Sequence, residues 1–525
     1  MSSDMNHRLN DHGDNESPLL RLARERIGKA GDERAARSLR NTATAALWLE
    51  HEAAAAGGAL RLTILAPHDD PVLSRFVGEL EDAGAGNKLL HGDTSAANAA
   101  ALRAEFPNLQ PVALGLQTSA GFGDRLGLAT PGHVAAMHEA GAAGKIAPIF
   151  AQQSIREMNR TSRSAQEVMD DATWGAFDAG WRLAVGADAD HQKTAEHVLT
   201  CLAAGFTFFT IDPGEYVDDS AESADAQALQ SGLDGLPWAA LEDDWQGLKR
   251  RLLAAPLDAD GHNIEFDEES LARAAVKYGA ALAHTASLYR VLVDSGKPFE
   301  LELSVDETSY PTKLVEHAYV ALELRRLGVE VVSLAPRFVG RFEKGVDFRA
   351  DDSGDLAELT STLAGHAGIA RALGPYKLSL HSGSDKFSVY PAIAEATGGL
   401  VHLKTAGTSY LEALRVAAAH APELFRRALE IGHERFEIDR RSYLIGASLQ
   451  AVPAADALSD SELPALLADD DARQVLHVTF GSALDALGGE LKALLNQHWQ
   501  AHERGLSRHF ERHLAPFVRS AARRN

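Results

Sequence analysis

Cysteine is almost missing from this chain. Cys201 stands alone, which excludes an internal disulfide and a cysteine-rich zinc cluster. Long hydrophobic runs are missing too: no stretch approaches the roughly 20 apolar residues that span a bilayer. Positive charge is scarce. Lys and Arg total 51 against 74 Asp and Glu, a formal net charge of −23, and that balance argues against binding nucleic-acid backbones or anionic membrane surfaces. The polar stretch 1–17 lacks the apolar core of a signal peptide. There is no P-loop, no HExxH and no nucleophile elbow, and no repeat of fixed period. What is present is ordinary for a globular protein: 525 residues, 45% hydrophobic and 24% charged, a prior of about three domains at roughly 150 residues each. The expectation is a soluble, cytoplasmic protein that acts on a small molecule, with neither nucleic acid nor membrane as partner; a homo-oligomer stays open.

Residues 1–40 have little periodicity and read as a loosely ordered or helical tail. Residues 41–110 read as a small α/β cap, with a buried strand at 60–67 (LRLTILAP) and a helical stretch at 72–80. From residue 111 a regular alternation begins. Short apolar runs at 112–117, 146–151, 182–186, 206–211, 299–305, 329–334, 376–380 and 400–404 are each followed by a helical pattern. Eight such units predict an α/β fold, a (β/α)8 TIM-like barrel over 111–410, with an open doubly wound sheet as the rival. The segment between runs four and five is too long for one crossover. It predicts an insertion over 213–267, then an amphipathic helix in which Leu271, Ala275, Tyr278, Leu282, Thr285, Tyr289 and Leu292 share a face. Residues 411–525 read as a helical extension ending in a locally basic helix at 497–524.

In such a barrel the active site lies at the C-terminal ends of the strands, so the residues just after each run are the candidates. They are rich in acids, histidines and small polar groups. Asp190-His191 follows run three, where imidazole can bind a divalent cation and the carboxylate can move a proton; an exposed acid beside a helix cap is the bland alternative. His381 ends run seven ahead of Ser382-Gly383-Ser384-Asp385 and supplies a second imidazole from another strand. His402 shares strand parity with Lys404 and so sits a layer deeper, which favours a core role. Asp347 and Glu343, in the loop after run six, can supply a hard oxygen ligand. Asp306 and Glu307 follow run five, and Glu307 is preferred for chemistry. Gln152, Lys386 and Thr405, after runs two, seven and eight, are the substrate-binding candidates. Arg337, Arg341 and Lys404 are further cations near this face. Gly121-Phe122-Gly123-Asp124-Arg125-Leu126-Gly127 has GxGxxxG spacing, a weak match to a dinucleotide loop; a turn facing the pocket is the simpler reading.

These strand ends resemble the tagaturonate epimerase family, also met as ketohexose 4-epimerases. The similar stretches are FGDRLGLATPGH (122–133), PIFAQQSIREMNRTSR (148–163), GADADHQKT (186–194), SVDETSYPTK (304–313), RFVGRFEKGVDFR (337–349), KLSLHSGSDKFSVYP (377–391) and LKTAGTSYLEALRVAA (403–418). They run in order across most of residues 110–450. The resemblance implies an isomerase that interconverts D-tagaturonate and D-fructuronate with a divalent cation: zinc, or manganese, nickel or cobalt in its place. It implies Asp190 as proton acceptor, Glu307 as proton donor, and His191, His381 and Asp347 as metal ligands, with Glu343 or His402 as alternatives for the third.

The inverted carbon of that reaction carries a hydroxyl and lies β to the ketone, so enolisation alone cannot invert it. Retro-aldol cleavage and re-formation, or transient oxidation by a nicotinamide, can. The metal route is preferred, since only the weak glycine loop speaks for a nicotinamide. A class II-type sugar aldolase, or a catalytically idle sugar-binding barrel, is the alternative function.

Overall fold

Residues 17–51, 60–254, 256–381, 385–405, 407–443 and 445–521 are described in a computed structural model of the chain. Of the tail predicted at 1–40, residues 1–16 lie outside them, as do Ser382, Gly383 and Ser384, and the rest holds helices Pro18–Ala30 and Glu33–Ser38. The chain divides into two units: residues 1–110 with 173–182, and residues 111–172 with 183–525.

Within the larger unit eight parallel strands form a closed barrel. They are β1 (Ser119–Gly123), β2 (Ala147–Ser154), β3 (Gly186–Gln192), β4 (Phe208–Ile211), β5 (Glu300–Ser304), β6 (Ser333–Ala335), β7 (Lys377–Leu380) and β8 (Val401–Lys404). Closure comes from two seams. Lys404 of β8 registers with Gly121 of β1, and Glu300 of β5 registers with Phe208 of β4 across the insertion. Strand alternation sends Phe209, Ile211, Leu301, Leu303 and Leu378 into the apolar layer beneath the helices. Each such fully buried side chain contributes about 2 kcal/mol of burial free energy.

Two strands depart from the sequence reading. The run 112–117 is not a strand: Gly115 has φ of 60°, and Leu114 packs with Ala147, Ile149 and Phe208. The true β1 is the glycine-containing SAGFG that follows. The run 182–186 likewise precedes its strand, and β3 is the polar GADADHQ. Low β-propensity hid it, because its alternate positions carry acids where a packing strand would carry Val or Ile.

The insertion folds as helices Ala226–Asp234, Trp238–Leu241 and Trp245–Leu252 and a hairpin of Leu257–Ala259 with His262–Ile264. It packs Leu229, Leu233, Leu241 and Leu248 into the same core as the long helix Glu268–Asp294. Asp267 caps that helix by accepting from the Ser270 N–H at 2.6 Å. The predicted face is buried from Leu271 to Leu292, except that Tyr289 is only partly covered. After β8, helices Thr408–His420, Pro422–Asp439, Asp470–Val478 and Phe480–Gln497 enclose a core around Tyr410, Phe425, Phe436 and Phe480. The basic C-terminal helix runs Trp499–Ala521.

The smaller unit holds a five-stranded antiparallel sheet in the order Arg40–Asn41, Ala46–His51, Leu60–Pro67, Asn87–Asp93, Glu79–Gly84. The buried strand at 60–67 is as expected. The helical stretch read at 72–80 is one turn, Val72–Arg75, and Glu79 and Leu80 belong to a strand.

Candidate active site

The barrel interior is polar at its C-terminal end, and strand alternation puts it there. Asp188 and Asp190 of β3, Thr210 of β4, Glu302 and Ser304 of β5 and His402 and Lys404 of β8 are all buried. Lys404 organises them. Its Nζ lies 2.6 Å from Asp190 Oδ1, 3.0 Å from Asp188 Oδ2 and 3.1 Å from Glu302 Oε1, and it donates to Thr210 Oγ1. Burial alone would push this ammonium toward neutrality, but three carboxylates outweigh it and hold the proton. In turn, burial favours the neutral Glu302 carboxyl, while Lys404 and His381 keep it ionised, well below the carboxylate range.

Above that layer two imidazoles meet. Adjacent residues of a regular strand face opposite ways, yet Asp190 and His191 both reach the site. A bulge explains this: between Ala189 and Gln192 the register against β4 shifts by one residue, and His191 takes a φ of 47°, a left-handed conformation that non-glycine residues seldom adopt. His191 Nδ1 hydrogen-bonds Asp212 Oδ2 at 3.2 Å, and its Nε2 lies 3.7 Å from Asp190 Oδ1. Across the barrel, His381 Nε2 hydrogen-bonds Glu302 Oε1 at 2.6 Å, and its Nδ1 lies 3.3 Å from Asp306 Oδ1.

One ligand atom from each of His191, Asp306 and His381 falls within 4.8 Å of the others. The donor set fits a divalent cation of the zinc, manganese, nickel or cobalt type. Each ring has its far nitrogen fixed by a carboxylate, the arrangement that orients metal-binding imidazoles. The electrostatics fit as well. Burial disfavours charge on His191, but Asp190, Asp212 and Glu307 reverse this and raise its pKa to about 10. A field that retains a proton there also favours a cation in its place.

The predicted residues divide clearly. His191, His381 and Asp190 come together. Asp347 does not join them: its carboxylate accepts from the Ser388 N–H at 3.2 Å and from Ser388 Oγ at 2.9 Å. Asp306 stands beside the two rings instead. Glu343 is buried against Arg341 and Gln474, and His402 lies one layer down, 2.9 Å from Ser119 Oγ. Glu307 lines a cavity of about 540 Å³ together with Asp306, His381, Arg341, Lys344 and Tyr443. Gln152, Lys386 and Thr405 are not among its described lining. Gln152 is buried over Gly121, Lys386 Nζ donates to the Glu343 and Val346 carbonyls, and Thr405 Oγ1 donates to the Gly121 carbonyl at 2.7 Å.

Glu302, Asp212 and Asp188 complete the site, and sequence reasoning gave none of them a role. Reading the strands by period two would have found two of the three: GADADHQ and FELELSV each place acids on alternate, inward positions.

The glycine loop after β1 does not fit a dinucleotide. Its backbone N–H groups at Leu126, Gly127 and Ala129 are taken by the Asp124 carboxylate at 3.1, 2.8 and 2.7 Å, an acid where a pyrophosphate would need to sit. Arg125 turns to Glu157 at 2.8 Å.

The sequence matches the family model described as tagaturonate epimerase, UxaE, over residues 37–517. It is 45% identical over 419 residues to the tagaturonate/fructuronate epimerase of Thermotoga maritima, covering 79% of this chain and 84% of that protein. Crystal structures of the fructuronate-tagaturonate epimerase UxaE from Cohnella laeviribosi superpose with 33% identity, over 95% of this chain and 99% of theirs. The native form gives a TM-score of 0.84 and a form with two glycerols 0.85.

Proposed function

The chain belongs to the tagaturonate epimerase family and is an isomerase that interconverts tagaturonate and fructuronate; we propose that it does so in the cytoplasm, with a divalent cation, by cleaving and remaking a carbon–carbon bond. The observation that carries this reading is the convergence of His191, His381 and Asp306 beside Asp190 at the rim of the barrel. Asp306 takes the third ligand place that the resemblance gave to Asp347. When bound there, the cation supplies Lewis acidity that stabilises negative charge developing on the ketone side of the sugar.

The chain's own residues move the protons. Number the sugar with the ketone at C2, the inverted carbon at C4 and the carboxylate at C6. Asp190 is kept ionised by His191, Lys404 and His381 despite its burial, and it accepts the C4 hydroxyl proton. The C3–C4 bond breaks, its electron pair passes toward the C2 oxygen, and C4 becomes an aldehyde carbon. The aldehyde turns about C4–C5 and presents its other face. C3 attacks, the bond re-forms, and Glu307, which enters this step as the neutral acid facing the cavity, gives its proton to the C4 oxygen. Asp190 is left protonated and Glu307 ionised, and proton exchange with solvent through the cavity resets the pair. Lys404 holds Asp190 in place throughout. The misfit of the glycine loop to a dinucleotide favours this route over transient oxidation.

The test is to chelate the protein, reload it with single metals, and follow tagaturonate and fructose by NMR. Turnover that disappears on chelation and returns on reloading is expected; full activity in the chelated, metal-free protein refutes the metal role. Free aldehyde accumulating in place of epimer would indicate an aldolase.

A further inference from the structure

Resting on the bond-cleavage reading above, we propose that Lys344 binds the substrate's C6 carboxylate and holds the aldehyde fragment while the C3–C4 bond is open. Once that bond breaks, the piece containing C4, C5 and C6 is a small, soluble aldehyde acid with no covalent tie to the protein. An enzyme that returns an epimer must keep it, and must let C4 rotate meanwhile. An ionic contact at C6 meets both needs, since turning C4 about C4–C5 leaves the carboxylate where it is.

Three cations line the cavity beside the histidine pair: Arg337, Arg341 and Lys344. Two are committed to the protein. The Arg341 guanidinium is paired with buried Glu343, and Arg337 donates to the Thr308 carbonyl. Lys344 is different. Its ammonium faces the Glu307 carboxyl group at 4.0 Å, a looser contact than either arginine makes. That is beyond a charge-assisted hydrogen bond, which closes to about 2.8 Å, so an incoming carboxylate gains a contact that Glu307 does not make. The position also suits the chemistry. Glu307 is the proton donor at C4, and the cation that meets C6 must stand close to it, because C6 is two bonds from C4. Lys344 lines the same cavity as Asp306 and His381, which puts it at the metal end.

The experiment compares wild type with Lys344→Met and Lys344→Arg, using tagaturonate and a neutral ketohexose as substrates and a hydrazine trap for free aldehyde. For Lys344→Met the expected result is a tenfold or larger rise in KM for the uronate, trapped aldehyde absent from wild-type reactions, and no comparable loss on the neutral sugar; Lys344→Arg restores retention. An unchanged uronate KM overturns the proposal. So does an equal loss on both sugars, which would make Lys344 a partner of Glu307 only. A raised KM without trapped aldehyde overturns the retention role. The underlying reading is checked separately in wild type with substrate deuterated at C4: a large primary isotope effect would mean oxidation at C4 and sink the bond-cleavage reading, leaving carboxylate binding to stand on the KM result.

Discussion

The rings of His191 and His381 stand edge to face with centroids 5.2 Å apart, although β3 and β7 lie opposite each other in the barrel. Two side chains reaching across from opposite walls define one point, and both have a carboxylate behind them. Removing either ring should remove the ion, whereas changing Asp190 should not. His191→Ala and His381→Ala are expected to purify with little bound metal and no turnover. Asp190→Asn should keep near-normal metal content while losing on the order of 10²- to 10⁴-fold in kcat. Elemental analysis alongside NMR rates separates the two classes; equal metal and near-normal rates in all three variants would reject the assignment.

The third ligand is decided by a second pair of variants. Asp306 lies 3.3 Å from His381, while Asp347 is spent on Ser388. Asp306→Asn is therefore expected to weaken metal binding by about tenfold or more, read as a lower chelator concentration for half-inactivation. Asp347→Asn should leave that concentration alone and cost about 1 kcal/mol of stability through the weakened Ser388 contacts. The reverse pattern would restore Asp347 to the metal.

Much of this architecture was legible. Eight apolar runs in alternation with helices gave the closed barrel, and the spacing of Leu271, Tyr278 and Leu282 gave the long helix after the insertion. Strand positions failed where residues served chemistry. GADADHQ carries acids on its inward face, so hydrophobicity pointed to RLAVG just before it; Gly121 and Gly123 hid β1 in the same way. His191 and His381 could be paired because both stand at C-terminal strand ends, His191 in the last residues of β3 and His381 just after β7. Choosing Asp306 over Asp347 could not be done from sequence, since it depends on whether a loop carboxylate folds back onto Ser388 or stays at the strand end. Nor does spacing reveal the bulge that turns Asp190 and His191 to the same side.

Lys404 offers a test of the buried charge network. Three carboxylates lie within 3.1 Å of its ammonium, with no solvent to screen them. Lys404→Met leaves those negative charges facing one another, a change that typically costs about 3–5 kcal/mol. Urea denaturation of the variant should show an unfolding free energy lower by that amount, read as the midpoint shift multiplied by the m-value. Lys404→Arg, which keeps the charge, should lose less. A midpoint within error of wild type for Lys404→Met would mean the carboxylates are already neutral and the ion pairs worth nothing.

Acid stability is set in part by a histidine pair that the mechanism does not use. His317 Nδ1 and His366 Nδ1 share one hydrogen bond at 2.9 Å, and Tyr376 Oη closes on His317 Nε2 at 2.8 Å. Only one proton fits between the two Nδ1 atoms, and burial opposes a second, lowering the His366 pKa to about 4. His317 is pushed well below its usual value by burial and by His366. In the unfolded chain both rings titrate near the ordinary ~6.5. Below that value the unfolded state binds more protons than the folded one. The stabilisation from keeping the pair neutral is thus complete above pH ~6.5 and is lost progressively as the pH falls toward 4. His366→Gln should flatten that part of the stability curve by on the order of 1–3 kcal/mol, measured as the difference in unfolding free energy between pH 7 and pH 4.5. An identical acid slope in the variant would place the sensitivity elsewhere.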